Sequence, residues 1–222
     1  MDTSPIVIDI ETAGLDNAAE WLEPVQADAR LKDPDKIAAD IAAKTEARLD
    51  KLGLDWNVGR IVAMGWWTED ASEYRPIRNE AEEHEALLNF WHVARHRTIV
   101  GFNCRAFDLK YMIQRSRYLR VPHPDLDLGK YSRRGIEDLY SLLTFNEGTY
   151  DQGAMRRTLK AFAKRFGIPM NDTISGKDIP ALVAAGDWEA IVSHVQADVE
   201  TTVELARRLG VIQRQHAMVS GF

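Results

Sequence analysis

The apolar positions change their period several times along the chain, and each change marks an element. Ile6-Val7-Ile8-Asp9-Ile10-Glu11 is rich in β-branched residues and reads as a strand, closed by a turn at Thr12-Ala13-Gly14-Leu15. Residues 16–32 hold no period and read as loop. Asp33-Pro34 then has the form of an N-cap followed by proline at the first helical position. Ile37, Ile41, Leu49 and Leu52 recur at helical spacing up to Gly53, a residue suited to a C-terminal stop. Six acids and six bases between Asp28 and Lys51 place this helix on a surface, as an insertion spanning about 28–58.

Beyond the insertion, residues 60–67 and 73–78 read as two further strands, so the front of the chain is a meander that the helix interrupts. Residues 80–97 read as a helix with Leu87, Leu88, Trp91 and Ala94 on one side. A short buried strand follows at 98–102, a helix at 107–118, a loop over 121–134 and another short strand at 135–139. Helices are expected at 158–166 and 188–209, the latter capped by Asp187 and stopped by Gly210. No repeat, low-complexity run or linker interrupts this order. It predicts a single α/β domain over residues 1–222, with a mixed β-sheet flanked by helices.

Composition narrows the class. With 222 residues, 45% hydrophobic and 28% charged, the chain has the balance of a globular protein with a sizeable core. Its one cysteine, Cys104, excludes a disulfide scaffold and a thiolate zinc site, and reads as packing. No apolar run approaches the ~18 residues needed to span a bilayer, and residues 1–5 show no signal-like pattern. The expectation is a cytoplasmic protein with no membrane partner.

Charge matters more for its distribution than for its sum of −6. Residues 1–50 hold 12 acids and 5 bases, whereas residues 105–134 hold 8 bases and 3 acids. A basic stretch beside an acidic one suits a polyanion track leading to an acidic site.

Three groups of residues carry candidate chemistry. Asp9 and Glu11 are two apart on a strand, so their side chains leave one face while Ile8 and Ile10 enter the core on the other. Two neighbouring carboxylates call for a positive partner, and a divalent cation such as Mg²⁺ suits them. Asn103 begins a strand–turn segment that delivers Asp108 to the first turn of a helix. His194 and Asp198 are four apart on the last long helix and share one face.

In that order, with 99 and then 90 residues between the aspartates, the three groups resemble the DEDD superfamily of 3′–5′ exonucleases, whose fold is ribonuclease-H-like. The sequence is most similar to the branch allied to the proofreading domain of family B DNA polymerases and to stand-alone bacterial and phage exonucleases. Ser175-Gly176-Lys177-Asp178 followed by Asp187-Trp188 also looks like that branch. The resemblance implies that Asp9, Glu11, Asp108 and Asp198 hold two Mg²⁺ or Mn²⁺ ions. It implies that Asn103 opens the second motif and that Thr12 and Leu15 contact the 3′-terminal nucleotide; Asn103 and Phe107 are further candidates for binding substrate. The branch usually has tyrosine four residues before the last aspartate; here the position is His194, a candidate general base.

The residue types fit phosphodiester hydrolysis. Two metal ions can activate a water and stabilise the leaving oxygen, and a neutral imidazole can take the water's proton near neutral pH. The expected substrate is the 3′ end of single-stranded or frayed DNA. An exoribonuclease and a catalytically weak nucleic-acid-binding module are the alternatives. Phe102, Phe107, Tyr131 and Tyr140 are candidates to stack on bases, and Arg156, Arg157, Lys160, Lys164 and Arg165 form a second basic patch. His84, His92 and His96 read as surface residues of one helix, and Trp66 or Trp67 as core.

Overall fold

The structure is a computed structural model, and it describes residues 4–129, 135–145 and 157–213. Five strands, β1 (Pro5–Gly14), β2 (Gly59–Trp67), β3 (Ser72–Pro76), β4 (Thr98–Gly101) and β5 (Ile136–Asp138), form one sheet in the order β3-β2-β1-β4-β5. β1 is central: it pairs antiparallel with β2 and parallel with β4, and β4 pairs parallel with β5. The helices are α1 (Pro34–Leu49), α2 (Glu80–Ala94), α3 (Asp108–Leu119), α4 (Leu139–Leu143), α5 (Leu159–Arg165), α6 (Ile179–Ala185) and α7 (Trp188–Arg208). The expected mixed α/β sheet flanked by helices is what the chain forms. No helix among the described residues is long and apolar enough to cross a membrane.

Both faces of the sheet are buried, for a reason visible in β1. Ile6, Ile8 and Ile10 pack with Leu87, Phe90 and Trp91 of α2 and with Leu109 and Met112 of α3. Val7, on the opposite face, packs with Leu159 and Phe162 of α5 and with Val199 and Val203 of α7. Asp9 and Glu11 share Val7's face by the strand's period of two. They are therefore not solvated acids at a strand end: Glu11 is only 8% exposed.

Several expected boundaries move. Thr12-Ala13-Gly14 is strand rather than turn, because Thr12, Ala13 and Gly14 go on pairing with Ile61, Arg60 and Gly59 beyond a register shift at Glu11/Thr12. Such a shift re-aims the side chains that follow it. α1 ends at Leu49, not at Gly53. Gly53 instead lies against β1, where a Cβ would come within 2.9 Å of the Thr12 carbonyl oxygen. α2 stops at Ala94, since His96 takes a positive φ of 69° that no helix continues. Leu88, expected on the buried side of α2, is 45% exposed. α4 and α6 were not foreseen; each is short and carries little periodic signal.

The insertion behaves as its charges require. Asp33 caps α1 by accepting the amides of Asp35 and Lys36, and the helix buries no residue. Polar contacts tie it to the loop before it: Arg48 donates to the Glu23 carbonyl and the Asp28 amide donates to Asp40.

The basic stretch 105–134 divides. Arg115 is buried and pairs with buried Glu83 through two 2.8 Å hydrogen bonds, while Glu83 Oε1 also accepts the Ile61 amide. This network joins α3, α2 and β2, so Arg115 is a core residue rather than a phosphate contact. Arg105 is likewise buried, donating to the Asp127 and Ile136 carbonyls. Lys110, Arg117 and Arg120 are exposed; Lys130, Arg133 and Arg134 lie outside the described residues.

Candidate active site

The cleft forms where β1 loses its neighbour. β4 pairs with β1 only as far as Val7. Beyond that point the Ile10 amide donates to Asp108 Oδ1 at 3.3 Å, which ties the first residue of α3 to the centre of β1. The turn between β4 and α3 is shaped by Asn103, whose φ of 62° is left-handed, a conformation that asparagine tolerates better than most residues. Asp138, at the end of β5, steadies the same turn. It accepts the amides of Asn103 at 2.9 Å and Arg105 at 3.0 Å, and caps α4 through Tyr140 and Ser141. α7 crosses the other side and brings His194 and Asp198 over Glu11, with ligand atoms of all three within 4.8 Å of one another.

These elements line an open cleft of about 450 Å³ that includes Asp9, Glu11, Asn103, Asp108, His194 and Asp198. Phe102, Phe107, Tyr140 and Arg157 also face it, as does Gly176 of the loop before α6. Of the expected site residues, Thr12 and Leu15 are not in this lining. Thr12 is buried, and Leu15 borders a separate cleft with Trp21 and Tyr118. Tyr131 and Arg156 lie outside the described residues, whereas Lys164 and Arg165 are exposed on α5. His92 and His96 are exposed and His84 half-buried, in keeping with surface positions; Trp66 and Cys104 are buried in the core.

Electrostatically the cleft is a knot of acids that repel one another. Burial, followed by repulsion from Asp108, Glu11 and Asp198, raises the Asp9 carboxyl well above its ordinary value. Glu11 is pushed up to about 8, first by burial and then by Asp198, Asp108 and Asp172, with Lys160 opposing. Burial raises Asp108 to about 7, and it raises Asp198 against the pull of His194 and Lys160. Among the described residues, Asp198 Oδ1 is buried with no hydrogen-bond partner. Crowded carboxylate oxygens that repel one another, one of them orphaned, fit hard divalent cations.

Sequence reasoning missed Asp172 and Lys160 as neighbours of this site. His194 Nε2 lies 3.2 Å from Glu11 Oε1, and its Nδ1 lies 2.8 Å from Asp172 Oδ2. Lys160 Nζ sits 2.9 Å from the same Asp172 oxygen, so this lysine is engaged with protein rather than facing a substrate. Asp172 stands 22 residues before His194 in an irregular loop, where no periodicity betrays it. Asp138 did leave a signal: an aspartate directly before Leu-Tyr-Ser-Leu-Leu has the form of a helix N-cap.

Among solved structures, the chain is similar in fold to the family B DNA polymerase from the hyperthermophilic archaeon Pyrobaculum calidifontis. The TM-score is 0.63 at 19% identity, over 94% of this chain and 25% of the polymerase chain. The chain thus spans a quarter of that enzyme's length. No curated protein matches the sequence. A family model of the RNase_H superfamily matches residues 50–210, which include β2 to β5, α2 to α7, Asp108, His194 and Asp198. Extending over most of the chain and reaching three of the cleft's central residues, this match shows that the chain belongs to the RNase_H superfamily.

Proposed function

We propose that this protein is a metal-dependent 3′–5′ exonuclease that removes nucleotides from single-stranded or frayed DNA ends. The observation that carries the reading is the convergence of Asp9, Glu11, Asp108 and Asp198 on one open cleft, with His194 among them. The likeness of the fold to a family B DNA polymerase supports it. Asp9, Glu11, Asp108 and Asp198 would hold two Mg²⁺ or Mn²⁺ ions, which supply a nucleophilic hydroxide and stabilise charge on the leaving 3′-oxygen.

The chain's own residues supply the rest. The four carboxyls, held protonated by burial and mutual repulsion, would give up their protons on binding cations and so match the ions' charge. His194 Nε2 is turned toward this cluster, where it accepts a proton from the attacking water once Glu11 is engaged elsewhere. Phe102, Phe107 and Tyr140 form an aromatic wall: the Phe102 and Tyr140 rings meet edge to face at 5.6 Å, and a base stacked there is held without regard to its identity. Asn103 and Arg157 border the same space and are placed to meet sugar and phosphate oxygens.

The test is incubation of end-labelled DNA and RNA oligonucleotides with Mg²⁺ or Mn²⁺, with free and blocked 3′ ends. Stepwise shortening from a free 3′ end of DNA is expected. Equal degradation of blocked ends removes the exonuclease reading, and a preference for RNA replaces DNA as the substrate.

A further inference from the structure

His194 is distinguished by how completely its ring is claimed. It is 2% exposed, so water offers its nitrogens little alternative to the protein. Nδ1 lies 2.8 Å from Asp172 Oδ2, and Nε2 lies on the other side, 3.2 Å from Glu11 Oε1. Asp172 is itself fixed. Its Oδ2 accepts from Lys160 Nζ at 2.9 Å and its Oδ1 from the Ile174 amide at 3.0 Å. Lys160 also donates to the main-chain carbonyls of Ile174 and Asp172, so it grips the loop as well as the carboxylate.

The proton inventory of these groups decides the ring's state. Burial favours a neutral Asp172, but hydrogen bonds from Lys160, the Ile174 amide and His194 outweigh it and hold the carboxyl below its ordinary value. An ionised carboxylate only accepts, so the nitrogen facing it must carry the hydrogen. Nε2 is then the one nitrogen free to exchange a proton, and it points at Glu11 and Asp198. A histidine whose second nitrogen is tied to a carboxylate has its tautomer and its orientation set together.

We infer that Asp172 is a positioning residue that locks His194 with Nδ1 protonated and Nε2 facing the acid cluster, and that Lys160 pins Asp172 in place. The inference rests on the proposed hydrolytic role of the cleft. Neither residue touches that role directly: Asp172 and Lys160 act through the ring. An asparagine at position 172 can donate its amide hydrogen to Nδ1 and so favour the tautomer whose Nε2 carries the hydrogen and cannot accept another. Nearly the same shape then holds the ring in an unproductive state.

The experiment combines kinetics with ¹⁵N NMR of the histidine-labelled full chain, metal-free and with Mg²⁺. Wild type is expected to show a protonated Nδ1 with a slowly exchanging, downfield-shifted hydrogen. Asp172→Asn is expected to lose that signal and to lower kcat by about 10²–10⁴-fold. KM for the oligonucleotide and affinity for Mn²⁺ should stay within about threefold, because neither depends on the tautomer. Asp172→Glu should restore part of both signal and rate, and Lys160→Met should weaken both, which keeps the test decisive if Asp172→Asn folds poorly. An unprotonated Nδ1 in wild type overturns the inference, and so does Asp172→Asn with wild-type kcat. If wild type cleaves no oligonucleotide while Asp172→Asn still abolishes the Nδ1 signal, the exonuclease reading falls and the locking of the ring stands.

Discussion

Replacing Glu11 by glutamine is expected to stabilise the metal-free protein at alkaline pH and to leave it nearly unchanged at pH 5. Glu11 is 8% exposed, and burial together with Asp198, Asp108 and Asp172 lifts its carboxyl from 4.5 to about 8, against the opposing charge of Lys160. The folded protein therefore keeps a proton that the unfolded chain has released. Its contribution is complete below about pH 4.5 and is lost as the pH rises through about 8. Holding a carboxyl this far above its ordinary value corresponds to about 5 kcal/mol when fully ionised. At pH 8, where about half of the folded molecules retain the proton, the loss is about 4 kcal/mol.

Glutamine removes the charge at nearly constant volume and gives up the carboxyl's contact with His194 Nε2 at 3.2 Å, a loss of about 1–2 kcal/mol. The net gain at pH 8 is about 2–3 kcal/mol. In a chain of this size it raises Tm by roughly 4–12 °C. Thermal melts in EDTA at pH 5 and pH 8 provide the assay, and addition of Mn²⁺ should stabilise wild type more than the variant. An unchanged or lowered Tm at pH 8, or an equal gain at both pH values, would refute the claim that an ionised Glu11 burdens the metal-free fold.

Asp9→Asn and Asp198→Asn are each expected to abolish cleavage while preserving the fold, since each removes charge that the ions need; calorimetric titration with Mn²⁺ reads the loss, and undiminished uptake would remove these residues from the site. His194→Ala should lower kcat by about 10²–10⁴-fold, with His194→Tyr recovering part of it, and a wild-type rate in the alanine variant would exclude His194 as the base. Arg115→Ala should destabilise the protein by about 3–5 kcal/mol, because it leaves buried Glu83 unpaired; urea denaturation measures this. Arg117→Ala, exposed on the same helix, should cost little stability and should reduce the salt dependence of oligonucleotide binding, a slope that an uninvolved arginine would leave unchanged.

The contrast between those two arginines explains what the sequence could disclose. Residues whose role follows from local period were legible: Asp9 and Glu11 alternate on a strand, His194 and Asp198 stack on a helix, and Asp108 opens one. Arg115 and Arg117 are two apart on α3, and the helix turns one into the core and the other into solvent. Charge counted along a segment cannot separate them, since the buried one is identified only by Glu83, 32 residues earlier. Asp172 is hidden in the same way. Its meaning depends on Lys160 before it and His194 after it, and an irregular loop sets no face. The strand end failed for a related reason: Thr12-Ala13-Gly14 has the composition of a turn, but pairing with β2 holds it extended. Long-range partners thus decided these three departures, whereas the carboxylates that define the cleft sit on regular elements. The carboxylates of the cleft are anchored on strand and helix, where regular backbone fixes each side chain's face, and there periodicity exposes them to a reader of the sequence. Asp172 sits in an irregular loop, placed by its contacts alone, and Lys160, though on α5, is recognised only through the carboxylate that it meets there.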